Sequence, residues 1–272
     1  MFGLFSPKPL FEPKNRPLKL AVLFSGNAGS ANFILEEMKK RPELKQKIKF
    51  VGAFSDNSMS HGAHSLKNHG LEIAIVDRDK FFIIHALDPK NQDAKRKYFE
   101  RALQELKEMG ADFLMLSGFM RIVGEPLLSE FVFRMLNVHP SNLTIIAEGK
   151  PAFTGKNAVI DALTAGRAEL RSTVHFVTGE VDCGPVLVLS KPVPVDTAKV
   201  KELQDNKAGL QAYADSLQEK LKREGDDPAF LKALELVADG LVGIKNGRIF
   251  IKENGKWKQG YFDIETNSVK ST

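Results

Sequence analysis

Short apolar runs alternate with amphipathic stretches over the first half of this chain. Leu18 to Phe24, Ile48 to Phe54, Leu71 to Val76, Phe113 to Leu116 and Met135 to Val138 are each bounded by turn residues. Continuous apolar runs of this length are what parallel strands covered on both faces require. Between them the spacing becomes helical. Phe33, Ile34 and Met38 follow the first run, and Asp93 to Met109 carries Tyr98, Ala102, Leu106 and Met109 on one stripe. Ala158 to Ala165 reads as a shorter helix. Alternating strand and helix over residues 18 to 140 predicts an α/β protein with a Rossmann-like, doubly wound, mostly parallel sheet.

The pattern changes after Arg171. Thr173 to Val177 and Val186 to Val195 read as antiparallel strands forming a C-terminal edge, with Pro192 and Pro194 marking exposure. A long helical region is predicted from Thr197 to Arg223, with Leu203, Leu210 and Leu217 seven apart beside Tyr213, Ala214 and Leu221. Its stripe is expected to pack on the protein's own body. Pro228 to Ala238 is a second helix, stopped by Asp239-Gly240, and Ile249 to Ile251 with Lys256 to Lys258 reads as a hairpin around Glu253-Asn254-Gly255. Residues 1 to 17, with prolines at 7, 9, 13 and 17, are expected to be a surface or disordered tail. The expected division is therefore a tail at 1–17, a main domain at 18–240 and a hairpin with tail at 241–272.

Composition narrows the function. A chain of 272 residues, 43% of them hydrophobic, can bury one large core. The net charge of +5 is spread along the chain, which suits a small anionic substrate better than nucleic acid. Cys183 is the single cysteine, which rules out an internal disulfide and a cysteine-based metal site and points to a reducing, cytoplasmic setting. No run approaches the ~20 apolar residues of a membrane span, and the start lacks the features of a signal peptide. No His/Asp/Glu group has metal-ligand spacing, so no metal is expected. A monomer or a homodimer fits equally.

Three strand ends carry the chemistry. The first run ends in Ser25-Gly26-Asn27-Ala28-Gly29-Ser30 at a helix start, where backbone N–H groups suit a phosphate. That turn is neither a full dinucleotide fingerprint nor a Walker loop. Gly118-Phe119 and Asn137-Val138-His139 end later strands, and ligands of such sheets bind at the carboxyl ends of strands. An amide, an imidazole and a carboxylate are the parts needed to move an acyl-level carbon between nitrogens: Asn137 is expected to donate to an oxyanion, His139 to shuttle the proton, and Asp182 to orient the imidazole and raise its pKa. His175, in an alternating strand, either lines this site or is structural; the other four histidines read as surface or structural.

Several blocks, in order, resemble the folate-dependent formyltransferases. They are Ala21 to Asn27, Leu116 to Val123, Asn137-Val138-His139-Pro140-Ser141, Ser172 to Val177, and Val181-Asp182-Cys183-Gly184-Pro185. The nearest members formylate glycinamide ribonucleotide in purine synthesis. The resemblance implies the formyltransferase fold and 10-formyltetrahydrofolate as co-substrate, with Asn137, His139 and Asp182 as the catalytic trio. It places the folate against Lys95, Met120, Arg121, Ile122, Val123 and Asn137. A phosphorylated small-molecule amine is placed on Gly29, Ser30, Ala31, Asn32 and Pro140, with Glu224 at the ribose hydroxyls.

The chain departs from the family on the acceptor side. Ala28 and Ala31 interrupt the usual Ser-Gly-Asn-Gly-Ser-Asn turn, Asn142 to Lys150 replaces a Leu-Leu-Pro continuation, and Gly225-Asp226-Asp227-Pro228 follows Glu224. Alternatives therefore remain open: formylation of another amine such as an amino sugar nucleotide, or a non-catalytic folate-binding relative. Formyl-tetrahydrofolate hydrolysis is disfavoured by the short residues 1–17, and methionyl-tRNA formylation by the few residues after Gly240.

Overall fold

Leu18–Phe24, buried at every position but Lys19, is the hub of a parallel sheet. The computed structural model describes residues 6–14 and 16–271 and divides the chain into two compact units. The first comprises residues 13–137 with 177–179. In it Leu18–Phe24 pairs in parallel with Ile48–Ser55 on one side and Phe113–Leu116 on the other. Ile73–Ile75 adds beyond Ile48–Ser55, and Met135–His139 adds beyond Phe113–Leu116, where Leu116 stands opposite Asn137. The predicted helix is present as Gln92–Glu108, and Asn91 caps it by accepting from the Asp93 and Ala94 N–H groups. Its buried face carries Ala94, Tyr98, Phe99, Ala102 and Leu106 into a core with Phe54, Leu114, Leu116 and Met135. The Tyr98 hydroxyl donates to Val76 O at 2.9 Å, which satisfies the one polar atom brought into that core.

The second unit comprises residues 1–12, 138–176 and 180–272. Thr173–Phe176 pairs antiparallel with Val186–Leu189, which runs parallel to Tyr261–Asp263, itself antiparallel to Ser268–Lys270. The strand expected over Val186 to Val195 is shorter. It ends at Leu189, and Val193–Pro194 pairs separately with Glu169–Leu170, because Pro192 and Pro194 have no N–H to continue a ladder. The helix expected over Thr197 to Arg223 is also broken. Thr197–Leu203 and Lys207–Leu221 are separated at Asn206, whose side chain caps the second helix by accepting from Gly209 N–H at 2.9 Å. A π-turn, Lys222–Asp226, then leads into Asp227–Ala238. The leucine stripe packs as expected on its own unit: Leu210, Ala214, Leu217 and Leu221 meet Phe153, Val159, Leu163 and Val193.

The tail reading requires correction. Lys8–Pro9 pairs with Ile244 and Gly243, Leu10 N–H donates to Val242 O at 2.9 Å, and Phe11 is buried. Gly243 permits this approach, because a Cβ there would meet the Trp257 ring at 3.0 Å and Lys8 O at 3.1 Å. Residues 1–5 lie outside the described residues. The predicted hairpin is present as Arg248–Glu253 with Lys256–Gln259, and it extends the sheet started by Val242–Lys245. Neither 17/18 nor 240/241 divides the two units. The chain is mixed α/β with mostly parallel central pairing and antiparallel strands, and among the described residues no helix is long and apolar enough to cross a membrane.

Leu221 is fully buried where the helix meets the π-turn. Leu221→Ala is expected to cost about 2–5 kcal/mol by lost transfer energy and the cavity left behind. Urea unfolding of wild type and variant at neutral pH measures the difference.

Candidate active site

His139 ends the strand Met135–His139, two residues after Asn137, and is buried at 5% exposure. Its Nδ1 lies 3.3 Å from Asp182 Oδ2, and its Nε2 lies 3.0 Å from the carbonyl oxygen of Phe153. The same Asp182 oxygen accepts from Gly155 N–H at 2.8 Å, and Asp182 Oδ1 lies 3.5 Å from His175 Nε2. One carboxylate thus serves two imidazoles and one backbone donor. His175 is thus brought against the same carboxylate as His139. The ladder register shifts between Val174 and His175, and an irregularity of this kind re-aims a strand side chain.

Local backbone explains how Asp182 gets there. It sits in the left-handed region at φ 54°, in a turn before Val186–Leu189, a conformation that aspartate tolerates better than most residues. Gly155 also has a positive φ, 71°, which glycine adopts without a Cβ clash. Its N–H can therefore turn toward the carboxylate. Ser141 Oγ donates to Phe153 O at 2.6 Å, and Thr173 Oγ1 donates to Ser141 O at 2.7 Å, fixing the segment that follows His139.

Burial and partners compete over charge. Burial raises the Asp182 carboxyl, but the hydrogen bond from His175, the charge of His139 and the Gly155 N–H outweigh it and hold the group at about 2. For His139 the outcome is opposite. Burial is the largest influence and lowers its pKa below the ordinary 6.5, although Asp182 and the Phe153 carbonyl both pull upward. The expectation that Asp182 raises this pKa holds for its own contribution and fails for the sum.

In the other unit, the turn after Leu18–Phe24 is knitted to residues 117–120. Ser25 N–H donates to Gly118 O at 3.0 Å, Met120 N–H to Ser25 Oγ at 2.9 Å, and Ala31 N–H to Ser117 Oγ at 3.1 Å. Ala28 lies at the start of helix Gly29–Lys40 in a left-handed conformation. Asn32 N–H returns to Ala28 O, while its side chain bonds Asn27 O, Ala28 O and Ser65 Oγ. Of the four residues expected to hold an anion, Ala31 and Asn32 therefore have their N–H groups committed. Gly29 and Ser30 keep theirs without a partner among the described residues.

The remaining expected residues are placed unevenly. Met120 and Ile122 are 71% and 69% exposed, whereas Val123 is 4% exposed and belongs to the core, which leaves only its backbone for a ligand. Arg121 pairs with buried Asp56 at 2.6 Å, a partner the sequence reading missed. Lys95 is half-buried in the first turn of Gln92–Glu108. Pro140 is half-buried beside His139, and Glu224 is exposed on the π-turn, 3.9 Å from Lys220.

A family profile for formyl transferase matches residues 18–216. The chain belongs to the formyl transferase family. It is similar to phosphoribosylglycinamide formyltransferase of Escherichia coli, with 30% identity over 65% of this chain and 74% of that protein. It is 29% identical, over 88% of its length, to the trifunctional purine biosynthetic protein adenosine-3 of Bos taurus, of which it spans 20%. Among solved structures, glycinamide ribonucleotide transformylase 1 from Symbiobacterium toebii aligns with TM-score 0.63 and 27% identity over 88% of this chain and 95% of that one. The family match covers both the Ser25–Asn32 turn and the His139–Asp182 pair, but stops short of the π-turn and the last helix.

Because the folded Asp182 carboxyl lies at about 2 against an ordinary 3.8, its contribution is present above pH 4 and is lost as the pH falls through 2. The size is roughly 2 kcal/mol. Urea unfolding at pH 5 and pH 2 is expected to show wild type losing about that much more than Asp182→Asn, which has no proton to bind.

Proposed function

We propose that the protein transfers the formyl group of 10-formyltetrahydrofolate to the primary amine of glycinamide ribonucleotide, a step of purine biosynthesis. The carrying observation is the buried His139–Asp182 pair in a chain whose relatives are named for this reaction. The amine nitrogen attacks the formyl carbon, and the carbonyl oxygen takes up negative charge. The Asn137 side-chain amide donates to that oxygen. His139, neutral at rest because burial lowers its pKa, accepts the proton lost by the attacking nitrogen. The imidazolium then faces the Asp182 carboxylate and returns the proton to N10 as the N10–carbon bond breaks. The products are tetrahydrofolate and the formylated amine. In the resting arrangement the Phe153 carbonyl covers Nε2, so the arriving substrate displaces it.

Binding roles follow from which groups are free. The Gly29 and Ser30 N–H groups, at the positive end of a twelve-residue helix, take the substrate phosphate. Met120 and Ile122 offer exposed apolar surface to the pterin, with Arg121, Lys95 and the Val123 backbone supplying polar contacts. Ala28 and the residue 142–155 segment differ from the family pattern on the acceptor side, and the second reading is therefore another amine, such as an amino sugar nucleotide.

A panel of amines assayed for loss of 10-formyltetrahydrofolate tests the proposal. Glycinamide ribonucleotide is expected to be consumed, with His139→Ala lowering kcat by roughly 10²–10⁴-fold and Asn137→Ala by about 10²–10³-fold. The acid limb of kcat/KM should have its midpoint below 6.5. Turnover of an amino sugar nucleotide but not of glycinamide ribonucleotide would replace the acceptor. Unaltered transfer by His139→Ala would refute the mechanism.

A further inference from the structure

We propose that Asp56 is the positioning residue for Arg121. It is a buried carboxylate that pins the Nε of that arginine and leaves its two terminal amino groups for an oxygen acceptor on the one-carbon donor. The proposal rests on the reading above that Arg121 faces the folate. Asp56 follows the strand Ile48–Ser55, and its side chain is 0% exposed. Its Oδ2 accepts from Arg121 Nε at 2.6 Å, while Oδ1 is buried without a partner among the described residues. A buried carboxylate needs a compensating charge, and the neighbouring ionic groups are occupied elsewhere. Asp77 accepts from Ser58 and Lys80, and the Arg78 guanidinium lies 4.9 Å from the Phe82 ring centre beside Asp79. Arg78 contributes only its N–H, to Asp56 O at 2.9 Å.

The arginine is held from its backbone as well. Met120 N–H is tied to Ser25 Oγ and Gly118 O to Ser25 N–H, so the chain reaches Arg121 from a fixed start. A planar guanidinium bonded at Nε has its orientation set, and its Nη1 and Nη2 groups then present parallel donors to a planar oxygen acceptor, a carboxylate or an amide. Neither Nη has a partner among the described residues, and the side chain is 38% exposed. Lysine, with a point charge on a flexible stem, cannot bond Asp56 and offer that fork together.

Calorimetric titration of the full chain with 10-formyltetrahydrofolate, without amine, tests this beside steady-state kinetics and thermal melting. Asp56→Asn is expected to weaken folate binding and raise its KM by tenfold or more, with kcat changed less than threefold and the amine KM unchanged. In an Arg121→Gln background, Asp56→Asn should produce no further loss. Folate binding by Asp56→Asn within twofold of wild type overturns the proposal and leaves the formyl-transfer reading standing. Wild type that fails to bind folate overturns both. If Asp56→Asn does not fold, Arg121→Lys decides: it should bind folate as weakly as Arg121→Gln, and near-wild-type binding by the lysine variant overturns the proposal.

Discussion

A single buried carboxylate, Asp182, gathers two imidazoles and a backbone donor, and much of the surrounding backbone is arranged so that its charge survives burial. An ionised carboxyl in a low-dielectric site is expensive unless several donors meet it. Here Gly155 N–H, His139 and His175 converge on its two oxygens. Each arrives by a local distortion: the left-handed glycine, the strand end and the register shift. Asp182 itself takes a left-handed conformation to reach them.

The same burial sets the resting state of His139. The imidazole faces an oxygen at each nitrogen, an environment suited to the imidazolium, yet desolvation pulls its pKa below the ordinary imidazole value. Asp182 and burial thus act on it in opposite directions.

In the other unit the constraint is satisfaction of backbone N–H groups. Serine hydroxyls do much of this: Ser117 takes Ala31 N–H and Ser25 takes Met120 N–H. Gly62 N–H donates to Gly26 O at 2.9 Å, and a Cβ on Gly62 would fall 2.7 Å from that oxygen, so helix His61–Asn68 backs the turn closely. What is left over at the start of Gly29–Lys40, among the described residues, is a pair of donors, the N–H groups of Gly29 and Ser30.

Much of this was readable from the residues in order. Apolar runs covered on both faces located the parallel strands, because continuous burial leaves a continuous apolar record. The residue types and spacing of His139 and Asp182 singled them out in sequence, and the fold brings the two within 3.3 Å. Other features have no local signature. Asp56 lies in an ordinary Ser-Asp-Asn turn, and only the approach of Arg121, sixty-five residues later, gives it a role. The break at Asn206 and the pairing of Lys8–Pro9 with Gly243 depend on side-chain capping and close backbone approach. The lowered pKa of His139 depends on how deeply it is buried, and burial is a sum over distant neighbours. The sequence by itself determined which chemical groups are present and where the buried parallel strands run. Tertiary structure alone decided their charge state and partners, since desolvation and long-range contact exist only in the folded chain.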